Sequence, residues 1–598
     1  MPDSRFTYGH LQSAINKAIR NEHLLLVGLG LVIGCLSGLA VIALREAISW
    51  IEITLYSVEI DMFSRYEIAV EPWMVMLYPT LGGLVVGLIT WKLMPEQRNQ
   101  GVADVVEASA MRAGQMSSRV GFVSAINSAI SVGVGASVGR EGPAVHLGAS
   151  LAGWIARRLH LSRSLSRTVL GCGVAAAVSA SFNAPIAGAL FATEVVVGQY
   201  ALKTFAPIVV ASVAGTALSH IHFGEASAFL LGDNNIASFW EFPAFIGLGV
   251  VAAVAAMVLM QSIFLAQQTA AKLPVPIWFK PAIAGLIVGI IAIWLPQVMG
   301  VGYGFTEWAI LGQFDLKLLI LIGLAKILAT ALCLGFGFSG GVFSPALVLG
   351  ATVGASYGLI AADVFPLLAS GVGVYTVVGM GAVAAAVLGA PISTTLIIFE
   401  ITGDYKLSLA VMLAIVIATE ITHHFFGASF FAEQLRRRNV DLRDGFEREV
   451  LNNIKVRQVL DHGKSTEADT ISTETPVHEI REKMSMSTTG ELFVVKPDGE
   501  LHGTITMHDC GSVLFDNDCG ENTTASDVAR LHPPILNEGD SLARAIQVMR
   551  DSGEDHIAVL RDPHTKVFTG CVHHRDVINA YNKALLRVRH EEHNQEPA

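Results

Sequence analysis

Glu141 stands in the stretch GASVGREGPAVHLG, residues 135 to 148, where most neighbours are Ala, Val, Gly or Ser. An ionisable side chain in such a setting is a functional suspect, because charge is expensive away from water. The chemistry open to a carboxylate there is narrow. It can take up a proton, or it can occupy a position suited to another anion. Gly139, Arg140 and Gly142 lead into Pro143, a residue that fits the first turn of a helix, and the glycines let backbone approach a ligand closely. A helix start aims unpaired N–H groups and a partial positive charge at whatever lies before it. The segment therefore predicts an anion-binding helix start, with a local Arg140–Glu141 ion pair capping the helix as the plainer reading of its charge.

The same device occurs twice. PAVHLGAS at 143 to 150 returns as PALVLGAT at 345 to 352, NAPIAGALFATE at 183 to 194 returns as GAPISTTLIIFE at 389 to 400, and VAAAV stands at both 174 to 178 and 383 to 387. GGVFSP, Gly340 to Pro345, would then start a second helix aimed at the same anion. Paired halves, roughly 24–220 and 240–432, with Gly and Pro interrupting apolar segments at matching places, point to inverted repeats whose broken helices meet near the midplane of a membrane.

Composition supplies the membrane. Of 598 residues 52% are hydrophobic and 15% charged, and the runs Leu24 to Leu44, Thr168 to Thr193 and Val364 to Phe399 carry no charge. The last of these exceeds the roughly 20 residues a helix needs to cross a bilayer. Ten-residue alternating strands are absent, so the expectation for 24–432 is an all-α polytopic domain in a plasma or bacterial inner membrane. Residues 1–23 contain Arg5, Lys17 and Arg20 without a cleavage site, and Arg436 to Arg438 follow the last apolar stretch. Both ends are expected on the cytoplasmic side. Six scattered cysteines give no metal or disulfide spacing, and a net charge of −11 without a long basic run gives no sign of nucleic-acid binding.

Beyond a linker expected at 433–453 the pattern changes to short strands and polar turns. LFVVKPDGELHGTITMHD at 492 to 509 matches IAVLRDPHTKVFTGCVHHRD at 557 to 576, each preceded by a helix-like segment. This resembles a soluble α/β tandem CBS module, with copies at 454–511 and 525–590. The resemblance implies an adenine-nucleotide site at Thr506 and Asp509, after Gly503, and at Asp576, although His573 replaces the hydroxyl residue of the second copy. A linking or dimerising module without ligand is the alternative.

GREGP, GGVFSP and NAPIAGALFATE across residues 24 to 432, followed by that module, resemble the CLC family of chloride channels and proton-coupled chloride exchangers. The resemblance implies a homodimer in lipid with one chloride pathway per subunit, chloride as bound substrate, no required cofactor, Glu141 as the gate, and an anion site formed by Gly139, Arg140, Gly142, Val342 and Phe343. Three positions depart from the family pattern. Val102, in GVADV, stands where a Ser hydroxyl is usual, and Asp104, close to this turn, has no account beyond a helix cap. Phe431 stands near the usual Tyr. Val195, after Glu194, replaces the internal proton-relaying Glu. All three remove polar groups from the anion and proton routes, so the expected function is channel-like gated chloride permeation, with a proton-coupled exchanger as the alternative. An enzyme is not expected: no HExxH or partnered GxSxG occurs, and His423 and His424 are adjacent, not spaced as metal ligands on one helix face.

Overall fold

A chain this apolar must pair its backbone groups internally, and in the computed structural model it does so chiefly as helices. The structure describes residues 22–60, 70–112, 114–198, 202–224, 236, 238–366, 369–440, 451, 454–460, 469–487, 490–506, 523–562 and 566–593. Most of the expected N-terminal segment 1–23, and Asp509, lie outside them. The chain divides into two compact units, Met1–Leu442 and Arg443–Ala598.

In the first unit, α1 (Glu22–Tyr56), α2 (Pro72–Leu93), α3 (Val102–Met111), α4 (Ser118–Gly133), α5 (Glu141–Arg158), α6 (Arg163–Phe182), α7 (Pro185–Phe191, continued by a π turn over Ala192–Val197) and α8 (Leu202–Phe223) make one half. The other half comprises α9 (Phe242–Lys272), α10 (Lys280–Trp294), α11 (Tyr303–Ile310), α12 (Leu316–Phe336), α13 (Phe343–Val364), α14 (Val372–Leu388), α15 (Pro391–Thr402), α16 (Tyr405–Phe426) and α17 (Phe430–Arg436). Among the described residues nine helical segments are long and apolar enough to cross a bilayer, and three more are apolar but shorter. The chain is an integral membrane protein.

The sequence repeat has a physical cause at each of its landmarks. α6 ends on Asn183 (φ 59°) and α14 on Gly389 (φ 68°), both left-handed, and each reversal feeds a helix that begins with Pro, at Pro185 and Pro391. Asn and Gly are the residues that enter this region most cheaply, which is why NAP and GAP correspond. The packing repeats as well. A Cβ on Gly148 of α5 would lie 2.4 Å from the Gly173 carbonyl oxygen of α6, and one on Gly350 of α13 would lie 2.4 Å from that of Gly379 of α14. Backbone against backbone is how helices associate where lipid offers no hydrophobic drive.

The Glu that closes each repeat caps a helix of the other half. Glu194 accepts hydrogen bonds from the N–H groups of Ile392 (3.1 Å) and Ser393 (2.8 Å) at the start of α15, and from the Ser393 hydroxyl. Glu400 accepts from Ile186 (2.9 Å) and Ala187 (2.7 Å) at the start of α7. A carboxylate at a helix N-terminus satisfies orphan donors and complements the helix dipole.

The boundary expected at residue 432 falls inside α17. Its first turn is capped by Ser429, whose hydroxyl accepts from Ala432 (3.4 Å), and Glu433 pairs with Arg436 and Arg437, each at 2.7 Å. The charges thus form i,i+3 and i,i+4 pairs that stabilise this last helix.

The second unit carries two copies of one motif. β1 (Thr470–Ser472), α18 (Val477–Met486), β2 (Glu491–Val495) and β3 (Leu501–Thr506) are matched, after the short α19 (Ala525–Val528), by β4 (Ile535–Asn537), α20 (Leu542–Ser552), β5 (His556–Leu560) and β6 (Phe568–His573), and α21 (His574–His593) follows. Each sheet runs parallel at its first pair and antiparallel at its second, with a register shift at Val494/Val495 and again at Val559/Leu560. Phe493 and Phe568 stack at 5.0 Å between the copies.

Candidate anion pathway

Gly139 and Gly341 exchange backbone hydrogen bonds: the Gly139 N–H donates to the Gly341 carbonyl (2.8 Å) and the Gly341 N–H to the Gly139 carbonyl (2.7 Å). This two-residue ladder ties GREGP to GGVFSP. It sets the start of α5 beside the start of α13, where the first intrahelical bonds are made by Ala144 to Arg140 and Ala346 to Val342. The N–H groups before them, at Glu141 and Gly142 and at Val342 and Phe343, belong to first turns that have no intrahelical acceptor.

The two starts open onto one cavity of about 500 Å³, lined by Glu141, Gly142, Val342, Phe343, Val102 and Phe431 among others. Six of the residues singled out in the sequence thus come together. Gly139 lies behind them in the ladder, and Arg140 turns its guanidinium over the Tyr303 ring, 5.3 Å from its centroid. Farther along, Arg98, Lys280, Arg437 and Arg438 line the same cavity, with Asp104 as the other carboxylate besides Glu141. Four cations against two carboxylates leave a field that attracts anions.

Asp104 is accounted for by its partners. Its Oδ2 accepts the Gly101 N–H (2.8 Å), closing the first turn of α3, and its Oδ1 pairs with Arg98 (2.6 Å) and Arg438 (3.1 Å). The segment before α3 is pinned from the other side. Asn99 donates to the Gly337 carbonyl (2.8 Å) and accepts from Asn127 (3.0 Å) and Thr90 (3.1 Å). Val102 is therefore held at the cavity wall by this network, and the side chain it presents is apolar. Phe431 is buried in the same wall, and Phe343 packs on Phe182 with centroids 4.6 Å apart.

Val195 and Glu194 do not line the cavity; they sit in the π turn after α7, where Glu194 caps α15. Tyr303 is the functional residue that sequence reasoning missed. Its phenol O–H donates to Glu141 Oε1 at 2.8 Å. The available signal was GVGYGF, residues 300 to 305, a Tyr between glycines just before an apolar helix. In the second unit Thr506 ends β3 and Asp576 lies in the first turn of α21. His573 packs edge-on to His556 at 4.6 Å, and burial, with His573 adding to it, pushes the His556 imidazole below its usual range.

Comparison with known proteins agrees with this geometry. The family described as voltage gated chloride channel matches residues 82–423, and the CBS domain matches residues 456–515 and 525–583. A putative chloride channel protein, ClcB-like, of Ralstonia nicotianae is 35% identical over 415 residues, spanning 69% of this chain and 96% of its own length. The voltage-gated ClC-type chloride channel ClcB of Escherichia coli is 29% identical over 405 residues, with 67% and 96% covered. Among solved structures, a slow cyanobacterial Cl-/H+ antiporter superposes with TM-score 0.63 at 19% identity over 69% of this chain and 97% of its own, and a eukaryotic CLC transporter with TM-score 0.59 at 18% identity over 92% and 97%. The chain belongs to the CLC family of chloride channels and transporters, with a C-terminal pair of CBS domains.

The ladder generates a prediction. A Cβ on Gly341 would lie 2.9 Å from the Gly142 nitrogen and 3.2 Å from its Cα, atoms of fixed backbone, whereas one on Gly101 meets nothing within 4 Å. Gly341→Ala should lower the thermal unfolding temperature in detergent, by a loss of about 1–3 kcal/mol, and abolish chloride flux. Gly101→Ala should stay within about 0.5 kcal/mol of wild type.

Proposed function

We propose that the chain forms a gated chloride pathway of channel-like character, one in each subunit of a homodimer, with Glu141 as the gate and both termini on the cytoplasmic side of a plasma or bacterial inner membrane. The observation that carries the channel reading lies beside the pathway: both oxygens of Glu194 are engaged in capping α15, and the next residue, Val195, holds no proton. Chloride is drawn into the cavity by Arg98, Lys280, Arg437 and Arg438 and bound at the two helix starts through backbone N–H groups, without the hydroxyls that Val102 and Phe431 lack. Weak retention suits throughput, since an ion must leave as readily as it arrives. The Glu141 carboxylate, an anion itself, competes for the same donors; protonation removes its charge and releases the position.

The exchanger reading is favoured by the descriptions of two structural neighbours, a cyanobacterial Cl-/H+ antiporter and a CLC-type fluoride/proton antiporter. Proteoliposomes under a chloride gradient separate the two. The channel reading expects chloride flux with no net proton movement, and in Glu141→Gln a flux at least as large that ignores pH. Chloride-driven proton uptake at a fixed ratio would show an exchanger.

We also propose that the CBS pair binds an adenine nucleotide through Thr506, Asp509 and Asp576. Support comes from the matched strand ends and from Asp576 at a helix start. Calorimetry of the full chain with ATP, ADP and AMP should give heat that is lost in Asp576→Ala; no heat with any of the three would leave the module a linker.

A further inference from the structure

Tyr303 has a place in the fold that sets it apart from an ordinary buried phenol. It is the first residue of α11, preceded by Gly302 in the left-handed region (φ 86°). The loop before it is fastened from within the bundle: Lys326 of α12, only 1% exposed, donates through Nζ to the carbonyls of Val298 (3.0 Å) and Gly300 (3.1 Å). The phenol therefore projects from a rigid mount. Its oxygen meets Glu141 Oε1, while Oε2, buried, accepts no hydrogen bond among the described residues and lies close enough to Gly139 that a Cβ there would come within 2.5 Å.

The repeat explains where this Tyr comes from. Gly101 and Val102 open α3, which packs against α5; Gly302 and Tyr303 open α11, which packs against α13. Tyr303 follows Val102 by 201 positions, within one of the 202 that separate Pro143 from Pro345. The helix start that carries an apolar side chain in the first half carries a hydroxyl in the second, and that hydroxyl points at the carboxylate.

We propose that Tyr303 is a positioning residue for the gate: its phenol holds the Glu141 carboxylate in the blocking position, so that the pathway spends a hydroxyl on the gate where α3 offers none to the ion. The inference rests on the gate reading of Glu141 and adds its latch. A hydrogen bond donated to the carboxylate holds its oxygen in place, so removing the donor frees the side chain to leave the blocking position. The other charges facing the carboxylate are Arg140 on its own element, Arg45 on α1 near Arg140 and Tyr303, and, along the cavity, Asp104, Arg98, Lys280, Arg437 and Arg438. Tyr303→Phe changes none of them and keeps the ring beneath Arg140.

The test is chloride efflux from proteoliposomes of the full-length protein as a function of pH, for wild type, Tyr303→Phe, Glu141→Gln and the double variant, with thermal unfolding of each. Tyr303→Phe should unfold like wild type and pass chloride faster at neutral pH. In the Glu141→Gln background the same change should do nothing. An unchanged flux for Tyr303→Phe beside a pH-insensitive Glu141→Gln would overturn the latch and leave the gate. An equal loss of flux in both backgrounds would make Tyr303 merely structural, and a pH response that survives Glu141→Gln would remove gate and latch together.

Discussion

Everything in the pathway depends on the pair of hydrogen bonds between Gly139 and Gly341. Two helix starts, each with its own unpaired donors, have no reason to converge, since their positive ends repel. A short antiparallel ladder supplies the reason, and it works only with glycine: the backbones run so close that a Cβ on Gly341 would collide with Gly142, and one on Gly340 would lie 2.4 Å from the Val138 Cβ. The convergence of partial positive charge favours an anion, and the cavity at the junction is where we propose that one binds.

What surrounds the junction divides into groups that face the ion path and groups that hold the wall. Val102, Phe343 and Phe431 line the cavity and are apolar, so on the proposed reading chloride would be held by backbone N–H groups, fixed by the helices and unable to rotate away. Asn99, Asn127, Asp104, Arg98 and Arg438 hold the wall through bonds to one another and to the ends of α3 and α12. Polarity has moved from the ion to its support. The Glu194 and Glu400 caps belong to the same economy, each half of the repeat fastening a helix start in the other.

Much of this was readable in the sequence, for a specific reason. Left-handed turns, close backbone contacts and Pro-started helices can be made by few residue types, so GREGP, GGVFSP, NAP and GAP carry their geometry in their letters. The soluble repeat was readable through its alternating strands and matched turns. Tyr303 was not, because a single Tyr reaches Glu141 across 162 positions and nothing in its own segment names the partner. Asp104 was seen but unexplained, since Arg438 approaches it from 334 residues away. The boundary expected at 432 falls inside α17, where Glu433 pairs with Arg436 and Arg437 along a helix that runs to Arg436.

The central claim is that the starts of α5 and α13 share one anion position for which Glu141 competes. Anomalous diffraction from crystals of Glu141→Gln grown in bromide tests it most directly. A bromide peak within hydrogen-bond reach of the Val342 and Phe343 nitrogens, weaker or absent in wild type at the same concentration, is the expected result. Bromide found only beside Arg98 and Arg438, with none at the junction, would contradict it.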